Sequence, residues 1–373
     1  TYMIVPNPGV IVLMQMEAFA LLCTMILMIG YDHGISLKKL CFFGMLFLLL
    51  PNQAISGIGA VKDYPYMLAL LWGNYLLFRL MQNLEVCKKP WYIISFTLDL
   101  FFIYGLRHNG IMPVLFMVVL SIVITIKYRK NVQQYLILAV LIAVISIPVY
   151  KGSVFDMLEV TENEVSPYTT MFCAVGSCVN KNLPLSEEAT AILEDIMPLE
   201  EWANYYSRFQ GHDQYMEHHD WAPLNLSDVT VKEAFSVYLE ALFKYPDVLI
   251  KDRVDGMDIM WDIVQPRDSF NLKALDFIQN LEFTEKIFEI DKLQQHSDAN
   301  YYNDSWIATM YRHTIYPANA FLVDSIFWRT GGYIILFMVL LIFWFEHGLQ
   351  RMLWTAMPML GNIAGSVLLL YHQ

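Results

Sequence analysis

The chain has 373 residues, of which 56% are hydrophobic and only 16% charged, with a formal net charge of −12. Soluble domains carry roughly 25% charged residues, so a wholly water-exposed enzyme is excluded. The apolar content excludes disorder and the five cysteines exclude a disulfide scaffold, while the acidic balance without a basic patch excludes nucleic-acid binding.

Apolar runs lie at 10–30, 38–55, 66–82, 91–106, 111–127 and 134–150. They approach the roughly 20 residues with which a helix crosses a bilayer. The second is the weakest: its continuous stretch, Leu40 to Leu50, reaches Pro51 after 11 residues, so it ends early or re-enters. Glu17 falls within the first run and Asp99 within the fourth.

A water-facing block follows. From Lys151 to Trp328 there are 30 acids and 12 bases, a net of −18, and the rest has 6 acids and 12 bases, a net of +6. Its start signals are helical. Ser186 precedes Glu187 and Glu188, Pro198 opens a short run to Trp202, and Thr230 with Glu233 forms a capping box ahead of Ala234 to Tyr245. Pro246 ends that helix and starts another, and period-2 alternation is scarce. Two further apolar runs, 328–345 and 352–371, close the sequence. The expectation is an all-α chain: transmembrane helices 1–6 over 1–150, a mostly helical extracytoplasmic domain over 151–327, and helices 7–8 over 328–373.

Basic residues set the orientation. Lys38 and Lys39, then Arg79, Lys88 and Lys89, then Lys127, Arg129 and Lys130, then Arg351 follow alternate runs, whereas the intervening loops hold only Lys62 and Arg107. By the positive-inside rule the basic loops are cytoplasmic, and 151–327 and the N-terminus lie outside. An outside N-terminus without a leader pattern, and an end at Tyr371-His372-Gln373, suggest a chain truncated at both ends.

Several groups are suited to chemistry. Glu17 and Asp99 each sit about 10 Å below the outer edge of their runs at 1.5 Å per residue, where acids face a wet cavity, a partner or a proton. The outer loops carry Lys62-Asp63-Tyr64-Pro65 and Arg107-His108-Asn109-Gly110. A guanidinium, an imidazole and an amide at a glycine turn suit a phosphate, with Lys62 as a second cation. Asp63 is placed to act as a base or to hold a divalent cation. The plainer alternative is bases that snorkel at an interface. In the outer block, Cys173 and Cys178 offer either a disulfide or two free thiols. His212, Asp213, His218, His219 and Asp220 form either a metal site or a polar loop, and Asn225 and Asn303 head glycosylation patterns. No hydrolase elbow, P-loop, dinucleotide turn or zincin helix is present.

The successions Gly59-Ala60-Val61-Lys62-Asp63-Tyr64-Pro65-Tyr66 and Leu106-Arg107-His108-Asn109-Gly110-Ile111 resemble a family of bacterial polytopic membrane proteins with a Lys-Asp outer loop and an Arg-x-Asn-Gly turn. Ile196-Met197-Pro198-Leu199-Glu200-Glu201-Trp202, Phe243-Lys244-Tyr245-Pro246 and Pro358-Met359-Leu360-Gly361-Asn362 extend the resemblance along nearly the whole chain. It departs at Thr169 to Val175, where relatives carry a Gln pair and an Arg. The family is similar in layout to the GT-C membrane glycosyltransferases. That likeness implies transfer of a sugar from a polyprenyl-phosphate carrier at the outer face of the cell membrane. Asp63 would be catalytic, and Lys62, Arg107, His108, Asn109, Asp99 and Glu17 would bind substrate. The usual catalytic acid of those enzymes lies in a first outer loop, which a truncated chain would lack. The rival expectations are a transporter or flippase of an envelope lipid, which calls for a repeat and midplane sites, and a non-catalytic envelope protein whose outer domain binds a partner.

Overall fold

The computed structural model of the chain describes residues 8–48, 63–107, 110–127, 140, 142, 169–206, 229–257, 330–348 and 350–369. Among the described residues all regular structure is helical and no strand occurs, in agreement with the all-α expectation. The helices are α1 (Pro8–Asp32), α2 (Leu37–Leu48), α3 (Asp63–Gln82), α4 (Pro90–Leu106), α5 (Ile111–Lys127), α6 (Thr169–Asn180), α7 (Glu187–Ile196), α8 (Leu199–Asn204), α9 (Val231–Lys244), α10 (Pro246–Gly256), α11 (Thr330–Glu346) and α12 (Met357–Leu369). Two 3-10 segments, Leu84–Lys88 and Gln350–Ala356, join them. The expected run 134–150 lies outside the described residues except for 140 and 142.

Within α1, Val12–Asp32 is the one described helix long and apolar enough to cross a membrane by length and composition. Pro90–Leu106, Ile111–Ile124, Met171–Asn180 and Gly332–Glu346 are apolar but shorter. Several of these helices leave large apolar side chains uncovered. On α11 they include Ile335, Leu336, Val339, Ile342, Phe343 and Phe345, which point in nearly every direction around the axis.

The helices fall into two compact units. The first holds α1 to α4, α11 and the 3-10 segment Gln350–Ala356. There α3 packs on α4, on α1 and on that 3-10 segment. Buried positions Tyr92, Phe96, Leu100 and Ile103 recur at helical spacing on α4 and meet Leu76, Leu77 and Leu80 of α3 in the core. The Tyr92 hydroxyl donates to the Leu76 carbonyl at 3.1 Å. Between the two helices, Asn83 accepts from the Glu85 amide at 2.9 Å, and Pro90 at the first turn starts α4 without a side-chain cap. From α1, Phe19 and Leu22 pack against Tyr64 and Leu68.

The second unit holds α5 to α10 and α12. The α5–α12 contact depends on a glycine: a Cβ on Gly361 would stand 2.4 Å from the Pro113 Cα, so only hydrogen fits there. Gly365, one turn on, is also buried, and small residues four apart let two helix backbones approach closely.

The remaining helices form a bundle around α6, which packs on α8, α9 and α10. Its core takes Phe172, Cys173, Val175 and Cys178 from α6, Leu193 from α7, and Ala234, Val237 and Ala241 from α9. Trp202 of α8 is fully buried, and its indole N–H donates to the Leu193 carbonyl at 3.0 Å, so its one polar group is satisfied. The caps fall where the sequence places them. Ser186 accepts from the Ala189 amide, Pro198 caps α8, Thr230 and Glu233 form both bonds of a capping box, and Pro246 opens α10. Glu240 of α9 takes the Ser186 amide and hydroxyl and the Lys244 ammonium. Burial works against its charge, but the Lys244 and Ser186 bonds hold it below its ordinary value.

Of the two alternatives for Cys173 and Cys178, the disulfide is overturned: both are buried and neither is bonded to another cysteine. They share α6, and a separation of five residues sets their Cα atoms about 8–9 Å apart on a helix, beyond the roughly 7 Å a disulfide can span. The His212, Asp213, His218, His219 and Asp220 group, Asn225 and Asn303 lie outside the described residues.

Candidate functional site

Asp63 is the first residue of α3, where the helix N-terminus favours an acid. Arg107 follows the last residue of α4 in extended backbone, φ −145° and ψ 145°, beside a C-terminus that favours a cation. The two helices pack together, and their ends bring Arg107 Nε to 3.0 Å from Asp63 Oδ1. The Arg107 side chain is only 13% exposed and that of Asp63 is 52% exposed. The guanidinium also lies over the Tyr66 ring, 5.8 Å from its centroid, a cation–π distance. Tyr66 stands one turn after Asp63, so the three groups share one helix end.

The convergence expected of Asp63 and Arg107 is therefore present, while Lys62, His108 and Asn109 lie outside the described residues. Asp99 and Arg107 are eight residues apart, about 80° around a helix that continued to the turn, but α4 ends at Leu106 and Arg107 leaves it, so the two share no continuous helical face. The direction of Arg107 comes from the turn and from Asp63, not from 100° per residue.

Asp99 is 2% exposed, within the stripe of α4 that holds Phe96, Leu100 and Ile103. Neither of its carboxyl oxygens has a hydrogen-bond partner among the described residues, and the same holds for Asn74 Oδ1 on α3. Glu17 sits on α1 at an exposed position. The two acids expected at matching depth thus have opposite surroundings, and Glu17 does not line an interior cavity with Asp99.

The sequence motifs do not include Tyr66 or Asn74 among the site residues. Tyr66 was within reach, since a three-residue step on a helix places it beside Asp63. Asn74 gave no signal, because one amide in an apolar run is unremarkable until its neighbours are known.

Among the described residues this site does not fit a divalent cation. Such ions take about six oxygen ligands, whereas Asp63 contributes one carboxylate already held by a guanidinium. Among the described residues no group of three or more His, Cys, Asp or Glu side chains comes together. The described site defines an all-helical protein with an ion pair at the shared end of an apolar helix hairpin. Comparison with known proteins finds no matching family model, no matching curated protein and no matching solved structure.

Proposed function

We propose that the chain is a multi-pass protein of the cell membrane, with about eight spans and residues 151–327 extracytoplasmic. In this reading it is a GT-C-like glycosyltransferase that uses a polyprenyl-phosphate-linked sugar at the outer face. The membrane part rests on the long apolar α1, the shorter apolar helices and their uncovered side chains. Contiguous uncovered apolar surface on this scale is unstable in water and suits lipid.

The observation that carries the transferase reading is the Asp63–Arg107 pair. The carrier's phosphate competes with the Asp63 carboxylate for the guanidinium, because both offer two oxygens to its planar fork of N–H donors. Once the phosphate is bound, Asp63 is released to accept the proton of an acceptor hydroxyl. The acceptor oxygen then bonds to the anomeric carbon, the bond from that carbon to the phosphate oxygen breaks, and the lipid phosphate departs with the electron pair beside Arg107.

Binding of polyprenyl phosphate to the purified chain in nanodiscs tests this exchange. Arg107→Ala should lose binding and Arg107→Lys recover only part of it. Asp63→Asn should bind the carrier more tightly than wild type, about tenfold for the loss of one competing charge, yet transfer no sugar. Weaker binding in Asp63→Asn, or wild-type binding in Arg107→Ala, would mean that the pair only clamps the hairpin.

A further inference from the structure

The bundle around α6 contains a second buried acid that plays no part in the proposed transfer. Asp252 on α10 is 3% exposed. Its Oδ1 accepts the Tyr206 hydroxyl, and its Oδ2 is buried with no hydrogen-bond partner among the described residues. A buried carboxylate is held in its charged form by two or three donors, and the described contacts give this one a single donor. The helix that carries it packs on α6 and on α9. Facing groups are the Cys178 thiol on α6, Lys181 just past its end, and Arg253 and Asp255 on α10. From α9, Tyr238 acts on Arg253.

We propose that Asp252 is a proton-operated latch of this bundle: neutral, it seats α10 against α6 with Tyr206 held on it, and ionised, it drives α10 away from α6 toward water. Burial is the largest influence on the carboxyl and pushes it up to about 7. The Tyr206 bond, Arg253 and Lys181 favour the charge, while Asp255 opposes it. The ordinary value is 3.8, so the folded state holds the proton more tightly than the unfolded chain does. The stability it contributes is complete below about pH 4, falls as pH rises toward about 7, and is level above that, where both states are ionised.

Cys178 reports the opening, because it is fully buried on α6 and its thiol is pushed up to about 11, chiefly by burial. Maleimide labelling of Cys178 in the detergent-solubilised full chain, read by mass spectrometry, is compared with Asp252→Asn at each pH. The comparison cancels the pH dependence of thiol chemistry. The ratio of wild-type to variant rates should rise about 30-fold between about pH 5.5 and pH 8.5 and flatten above about pH 7.5. Tyr206→Phe removes a bond that favours the charged form, so its rise should extend to higher pH. A flat ratio, or a Tyr206→Phe rise displaced to lower pH, overturns the latch. If Asp252→Asn does not fold, Tyr206→Phe against wild type decides by the same displacement.

Discussion

The helices of 63–127 and those of 169–257 differ in how some of them start. In the second region α7 and α9 start on side-chain caps, Ser186 and Thr230 with Glu233, while α10, like α4, starts on a proline without one. In the first region α4 begins after Lys89 with no side-chain cap, and its length is set by an apolar run between Pro90 and the turn at Arg107. Caps matter where water competes for the last backbone groups. Where water is scarce, the hydrogen bonds of the run itself dominate, and close contact between backbones replaces burial of area as the source of specificity.

Four substitutions probe that contrast. The largest effect is expected from removal of volume in the bundle around α6. Trp202→Ala leaves a void at the centre of the α6 core and the Leu193 carbonyl without its donor, a loss of about 4 kcal/mol. Hydrogen exchange should then rise over 169–257 and stay unchanged over 63–107. Equal loosening of both regions would show that their stabilities are not separate.

Addition of volume is the matching test for α5 and α12. Gly361→Leu drives a side chain into the Pro113 backbone, at a cost of about 3 kcal/mol. A cysteine pair engineered across α5 and α12 should then cross-link poorly, and undiminished cross-linking would remove Gly361 as the determinant of that contact.

The smallest effects compare helix starts. Thr230→Ala should destabilise the bundle by about 1 kcal/mol through loss of the cap, whereas Lys89→Ala, at a start with no side-chain cap, should change thermal stability by no more than about 0.5 kcal/mol. Similar losses at both positions would erase the proposed difference in plan.

What the sequence made legible follows the range of the interaction involved. Helix existence in 63–127 came from apolar run length, and the starts at Ser186, Pro198, Thr230 and Pro246 came from groups within four residues of one another. The Asp63–Arg107 pair was legible too, because two loops expected on the same face of a hairpin bring opposite charges together. Relations across long stretches were not. Tyr206 and Asp252 are 46 residues apart, and no local pattern marks either as a partner. The disulfide alternative for Cys173 and Cys178 failed because α6 runs through both, a fact the apolar spacing of Phe172 and Val175 already held. Glu17 was paired with Asp99 on depth alone, and depth carries no information about which way a side chain faces.

The seat of Gly361 against Pro113 also has a consequence for synthesis. α5 ends at Lys127 and α12 starts at Met357, so a chain elongating at about 5–20 residues per second makes α12 roughly 10–50 s after α5. Throughout that interval the face of α5 destined for Gly361 has no native cover. Anything that slows translation between the two helices lengthens that exposure, so yield of folded protein is expected to depend on elongation rate across the intervening bundle.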